Sequence, residues 1–267
     1  MMQLQDIYIY PIKSLGGIRL EESELEERGL KFDRRWMLVD KEGMFLTQRT
    51  FPEMALLQVE VGEEGLLVFH KKDNVHRIQI PFLPQSEIFK SVQIWEDEVI
   101  GQVVDEKVSK WFSETLGMEC DLVIMPESTE RKLSPKYAVN NESVGFADAM
   151  PYLLIGQAAL DDLNAKLENA VSMDRFRPNL VFSGGSAFED DNWDKVQVGE
   201  AVFKITKPCA RCVMTTVNQE TAEKGKEPLK TLATFRTFDH KVMFGQNMLL
   251  LKGDRIRVRD EVVPFLK

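Results

Sequence analysis

Lys207-Pro208-Cys209-Ala210-Arg211-Cys212-Val213-Met214-Thr215-Thr216-Val217 is the stretch on which the fold turns. Val213, Thr215, Thr216 and Val217 are β-branched and read as a strand. Short runs of the same kind recur outward in both directions. Upstream are Asp6–Tyr10, Trp36–Val39, Leu56–Val61, Leu66–His70, Arg77–Ile80, Ser91–Trp95, Leu122–Met125, Tyr152–Ile155 and Leu180–Phe182. Downstream are Met248–Leu251 and Arg255–Val258. Regular short strands between polar or glycine turns predict a mainly β chain with peripheral helices (α+β), built as a β-sandwich or a barrel. Two segments change to a helical period. Val108, Trp111, Phe112 and Leu116 share one face, with Asp105 as N-cap and Gly117 as C-cap. Leu160, Leu163 and Leu167 form a second such face. Pro126–Ser143 is polar and irregular and reads as a surface loop near a boundary, giving domains 1–120 and 121–267.

Two cysteines within four residues, in a chain that has three, ask for a chemical reason. A structural zinc site needs four Cys or His ligands, usually as clustered pairs. Cys120, His70, His76 and His240 are instead scattered singly. A thioredoxin-type pair opens a helix, whereas a strand is expected here. Two readings stay open: a buried pair of small hydrophobes, or a thiolate ligand for a soft or late metal, with Arg211 favouring the thiolate. Three positions apart in an extended segment, the two side chains point in different directions, so one faces a cavity and the other packs.

Composition narrows the class. A net charge of -9 argues against nucleic acid as the main partner. No apolar run approaches the ~20 residues of a membrane span. The start, Met1-Met2-Gln3-Leu4-Gln5-Asp6, has neither a basic n-region nor a transit-peptide look. Three cysteines imply no disulfide framework, so a reducing, cytoplasmic setting is expected.

Three segments are suited to anions. Pro11-Ile12-Lys13-Ser14-Leu15-Gly16-Gly17 leaves a strand into a glycine turn. It reads either as a nest of backbone N–H groups with Lys13 and Ser14 or as an ordinary hairpin turn with a solvated lysine. Arg34-Arg35 stand at a strand entrance, facing an anion or water. In Asp174-Arg175-Phe176-Arg177-Pro178-Asn179, Pro178 biases Arg177 toward extended backbone. That would place Arg175 and Arg177 on one side, with Asn179 adding a donor and an acceptor.

Taken together, Tyr10-Pro11-Ile12-Lys13-Ser14, Asp33-Arg34-Arg35-Trp36, Phe176-Arg177-Pro178-Asn179, Cys209-Ala210-Arg211-Cys212 with Thr215-Thr216-Val217, and Phe244-Gly245-Gln246 resemble the MOSC family. The likeness is to its two-part members with an N-terminal MOSC-associated β-barrel, a group that includes the mitochondrial amidoxime-reducing component, and with the strand pattern it implies two β-barrel-like lobes. It covers nearly the whole chain, with several motifs in order. The resemblance implies a molybdenum cofactor, molybdopterin with Mo, whose metal takes Cys212 as its protein ligand and catalytic sulfur. It implies that Lys13, Ser14 and Arg34 hold the pterin phosphate, that Arg177 and Asn179 contact the pterin, and that Cys209 is a packing residue.

The activity implied is reduction of N-hydroxylated or N-oxide-type small molecules. Electrons would come from a separate protein of ferredoxin-like, flavoprotein or cytochrome type. A carrier or sulfur-transfer role without reductase turnover is the alternative. Neither zinc nor pyridoxal phosphate is expected, nor a fused iron–sulfur or desulfurase domain. After the threonines the family often has Asp and Pro; here Asn218-Gln219 follows, which points to an altered turn and pocket wall.

Overall fold

The computed structural model describes residues 1–267, apart from the side chain of Asn74. The N-terminal part opens with β1 (Gln3–Ile9), β2 (Ile18–Leu20), β3 (Glu22–Glu26), β4 (Gly29–Leu30) and β5 (Trp36–Asp40). It continues with a meander of β6 (Leu57–Val61), β7 (Gly65–His70) and β8 (Asp73–Pro81), then the hairpin of β9 (Phe89–Ile94) and β10 (Asp97–Val103). Helix α1 (Glu106–Leu116) and β11 (Cys120–Ile124) follow. The remainder runs through β12 (Tyr152–Gly156), α2 (Gln157–Asn164), β13 (Leu180–Ser183), β14 (Trp193–Val198) and β15 (Ala201–Ala210). It ends with α3 (Leu229–Ala233), β16 (Thr237–Phe238), β17 (Lys241–Lys252), β18 (Arg255–Arg257) and β19 (Val262–Leu266). The chain is mainly β with peripheral helices.

Four sheets result. The largest runs β19-β14-β15-β17-β12-β13-β1-β2, with β16 added on β17. The others are β5-β11-β10-β9, β18-β3-β4 and β6-β7-β8. The topology weaves the two ends of the chain together. β1 pairs antiparallel with β13, and β3 pairs with β18, where Arg255 lies opposite Glu24 and its Nη1 also donates to Glu22 Oε1, 233 positions away. The β1–β2 connection, residues 10–17, is thereby carried by the large sheet, while Lys13 N–H donates to Trp36 O on β5 at 2.8 Å. This connection reaches both lobes at once.

Each lobe has its own core. Leu4, Ile7, Trp193, Phe203 and Met248 pack inside the large sheet. Ile12, Trp36, Leu66, Phe112 and Leu122 pack beneath α1. Alternating burial along β3 and β9 shows why period-2 residues become strands. Helix α1 has the anticipated caps: Asp105 Oδ1 accepts from Lys107 N–H at 2.6 Å, and Gly117 takes a left-handed φ of 66°. Leu160 and Leu163 are buried on α2, and Leu167 packs just beyond its end.

The local departures are instructive. After Cys212 the chain makes a 3-10 turn over Val213–Thr216, and the strand, β15, ends at Ala210 and takes in Cys209. Thr215 Oγ1 donates to Cys212 O at 3.0 Å and Thr216 Oγ1 to Val213 O at 2.7 Å. These side-chain-to-backbone bonds close a turn that β propensity alone would have extended. Residues 126–150 contain almost no regular structure, yet Arg131, Glu142, Phe146 and Met150 are buried in them. The stretch expected to be a surface loop is therefore fixed against the body of the protein.

Candidate functional site

Residues 10–15 and 33–36 run side by side and set the first wall of the site. Tyr10 N–H donates to Asp33 Oδ1 at 2.8 Å, Arg34 N–H to Tyr10 O at 3.0 Å, and Trp36 N–H to Pro11 O at 3.1 Å. Gly17 permits the close packing, since a Cβ there would lie 2.5 Å from the Tyr10 ring. Gly145 does the same opposite Arg34, where a Cβ would come within 2.9 Å of its carbonyl oxygen. Ser14, Arg34 and Arg177 adopt φ of 67°, 48° and 52°. Non-glycine residues hold such angles only where their surroundings over-determine them, and they concentrate at functional sites.

For Arg177 this corrects the extended backbone expected before Pro178. Its N–H closes a 3-10 turn onto Asp174 O at 3.2 Å, its Nη1 donates to Leu15 O at 2.7 Å, and its guanidinium lies 4.0 Å from the Tyr10 ring centroid. Arg34 covers the same ring at 4.4 Å and bonds Asp33 at 2.6 Å, Asn179 Oδ1 at 3.2 Å and Arg177 O at 3.1 Å. Burial pushes Arg177 down to about 10. Burial acts the same way on Arg34, but Asp33, Tyr10 and Asp148 together outweigh it and the net shift is upward. Asn179 is tied into the frame: its Oδ1 also accepts from Leu153 N–H, and its Nδ2 donates to Tyr8 O.

Lys13 is 4 % exposed, which rules out the solvated hairpin lysine. Its Nζ donates to Phe146 O at 2.7 Å and pairs with Asp148. Burial lowers it to about 8, against the pull of the Asp148 carboxylate. Burial would raise Asp148, but the Lys13 and Arg49 charges hold it well below the usual carboxylate range. Arg49 Nη2 bonds Asp148 Oδ2 at 2.6 Å, and Arg49 Nε donates to Cys212 Sγ at 3.3 Å. A continuous line of contacts thus runs from Lys13 through Asp148 and Arg49 to the exposed Cys212.

Arg211, expected beside Cys212, instead donates through Nη1 to Cys209 Sγ at 3.0 Å. Cys209 is half-buried, and both cysteines line the same cavity. The expectation that only one sulfur faces it fails because the backbone turns between them: Cys209 is in the last residues of β15, and Cys212 caps the 3-10 turn. The third cysteine, Cys120, is buried beneath α1, where burial pushes its thiol up to about 11.

The cavity measures about 410 Å³. Lys13, Ser14, Arg34, Arg177, Asn179 and Cys212, drawn from four separate motifs, all line it. Arg49 and Asp148 line it too and were not singled out in the sequence. Arg49 follows Leu46-Thr47-Gln48 with no motif of its own, and Asp148 sits in the irregular 126–150 segment. Eight cationic side chains and one carboxylate, Asp148, form the wall, in a protein whose net charge is -9. Ten buried side-chain polar atoms lack a partner among the described residues, and five belong to this wall: Ser14 Oγ, Arg49 Nη1, Arg175 Nη1, Arg177 Nη2 and Arg211 Nε. Buried donors are ordinarily satisfied, so their concentration here fits a ligand rich in acceptors. Among the described residues no three His, Cys, Asp or Glu side chains converge as a metal site. A phosphate-bearing, sulfur-ligated metal–pterin group matches this donor set.

The MOSC N-terminal beta barrel domain matches residues 1–119 and the MOSC domain matches residues 141–263. The chain is 33% identical to mitochondrial amidoxime reducing component 2 of Rattus norvegicus, over 96% of this chain and 81% of that protein. It is 32% identical to mitochondrial amidoxime-reducing component 1 of Mus musculus, over 96% and 80%. It is also 33% identical to the molybdenum cofactor sulfurase of Oryza sativa subsp. japonica, over 91% of this chain but 32% of that protein.

Proposed function

The chain belongs to the MOSC family, and on that footing we propose that it is a molybdenum-cofactor-dependent reductase of N-hydroxylated or N-oxide-type small molecules. The observation that carries the reading is one cavity in which an exposed thiol faces a cationic wall with unpartnered donors. Cys212 would hold the molybdenum. Ser14 Oγ, Lys13, Arg34 and Arg177 would hold the phosphate, and the Asn179 amide would brace Arg34 beside the pterin.

The cofactor, when bound, supplies the two-electron chemistry. Removing a hydroxyl oxygen from nitrogen takes two electrons and two protons, breaks the N–O bond and releases water. The chain's own residues bind, orient and hold protons. Lys13 keeps its proton between Asp148 and the Phe146 carbonyl, and Arg34 and Arg177 are held over the Tyr10 ring by hydrogen bonds to Asp33, Asn179 and Leu15. Electrons would come from a separate protein of ferredoxin-like, flavoprotein or cytochrome type.

The likeness to a cofactor sulfurase favours a second reading, in which the same cavity carries the cofactor or its sulfur without turnover. Gently purified protein should contain molybdenum and pterin, and with a reduced dye it should reduce an amidoxime. Cofactor without turnover supports the carrier, and neither cofactor nor turnover defeats both readings.

A further inference from the structure

Arg49 is the side chain through which the Cys212 sulfur is tied to the rest of the site. Three of its contacts fix the guanidinium. Nε donates to Cys212 Sγ at 3.3 Å, Nη2 donates to Asp148 Oδ2 at 2.6 Å, and the Trp95 ring centroid lies 4.7 Å from Cζ. Its backbone is held as well: Arg49 O accepts from Lys224 Nζ at 2.7 Å.

Trp95 stands in an unusual place for such a role. It begins the two-residue loop of the β9–β10 hairpin, where Ile94 pairs with Asp97. Loops of this length favour glycine, asparagine or aspartate at left-handed positions. Trp95 nevertheless takes a φ of 57°, is 41 % exposed and packs against Phe45 at 5.1 Å. A bulky residue kept in that backbone region marks a constraint, and the side chain it presents is a cation-binding face laid on Arg49.

We propose that Arg49 is a positioning residue that orients the Cys212 sulfur for metal ligation, itself clamped between the Asp148 carboxylate and the Trp95 ring. The proposal deepens the assignment of Cys212 as metal ligand and rests on it. Cys212 lies at the start of a short turn and is exposed, so its own packing does not fix the thiol rotamer. The fork of Arg49 does, because Nε and Nη2 bond two different residues in one plane. Lysine carries the charge without that fork. The split between charge and geometry is therefore measurable.

Two readouts separate this inference from the reductase reading. In cofactor-free protein, the Arg49 Nε–H resonance is assigned by its disappearance in Arg49→Lys. It should be slow to exchange and should shift in Cys212→Ser. A resonance that exchanges freely and does not move in Cys212→Ser overturns the proposal, whatever the enzyme does. In molybdenum-loaded protein, Arg49→Gln and Arg49→Lys are compared with wild type at equal pterin occupancy, because Arg49 also lines the cavity. Their metal–sulfur shell, seen by X-ray absorption, should be disordered, and turnover should fall about 10- to 100-fold, the range of a lost charged hydrogen bond. Trp95→Ala should show a smaller loss of about threefold to tenfold, and Trp95→Phe should restore it. An unchanged metal–sulfur shell in Arg49→Gln overturns the inference. Wild-type protein that binds molybdenum through Cys212 without turnover would defeat the reductase reading and leave the Arg49 result standing.

Discussion

Gln48 and Gln219 bond each other in both directions inside the protein, Nε2 to Oε1 at 3.2 Å and 2.9 Å. The pair is buried and joins the segment before Arg49 to the turn after Cys212. Gln48 Nε2 also donates to Ser14 O at 2.7 Å. This is the turn expected from the sequence to be altered, at Asn218 and Gln219. Asn218 Oδ1 accepts from Glu220 N–H at 2.9 Å and so makes the turn, while Gln219 makes the cross-link.

Removing Gln219 should leave Gln48 Oε1 buried without its donor, while Gln48 Nε2 keeps Ser14 O. Gln219→Leu is expected to cost about 1–3 kcal/mol, read as a lower urea midpoint. Adding Gln48→Leu should restore part of that loss, because neither amide is then orphaned. A strictly additive double variant would show that the pair is not coupled.

The cap of α1 gives a control far from the cavity. Asp105→Ala should destabilise by about 1 kcal/mol and leave cofactor content unchanged. Loss of cofactor in this variant would mean that the cavity responds to general destabilisation.

Much of this was legible because it is local. The α1 caps follow from Asp105 and Gly117, and the β class follows from repeated short alternating runs. The gathering of Lys13, Arg34, Arg177 and Cys212 was legible only through several motifs taken together, since each alone fits a solvated loop. Other features depend on tertiary contacts. Arg49 reaches Cys212 across 163 positions, and no spacing rule connects them. Asp148 is defined by two cations from other segments. The turn at Val213–Thr216 reads as a strand until the threonine hydroxyls are seen bonding back to the main chain.

Asp148 sets an acid-side dependence. Its folded carboxylate is held below its ordinary value by Lys13 and Arg49, against burial. Its stabilising contribution is therefore fully present above about pH 4, where the unfolded carboxylate is also ionised. It is lost as pH falls, because the unfolded chain then binds the proton that the folded one refuses. In cofactor-free protein the stability gap between wild type and Asp148→Asn should shrink from pH 5 to pH 2.5 in urea titrations. A gap that widens on acidification would reverse the sign and refute the pairing.

Arg34 tests the anion wall. Arg34→Ala removes contacts to Asp33, Asn179 and Arg177 O and a cation over Tyr10. Pterin retention should weaken by about 1.5–3 kcal/mol, the scale of a charged hydrogen bond. Pterin content equal to wild type after dialysis would remove Arg34 from the binding set.

The most direct test is molybdenum content and amidoxime turnover in Cys212→Ser beside Cys209→Ser. Both cysteines line the cavity, so the comparison is made within one wall. A serine hydroxyl is a harder and weaker ligand than a thiolate at neutral pH. Cys212→Ser should lose turnover and alter the metal's sulfur shell. Cys209→Ser should keep the metal and turn over, with a stability loss on the order of 1 kcal/mol. The account is contradicted if Cys209→Ser is dead and metal-depleted while Cys212→Ser works, or if both variants bind molybdenum and turn over like wild type.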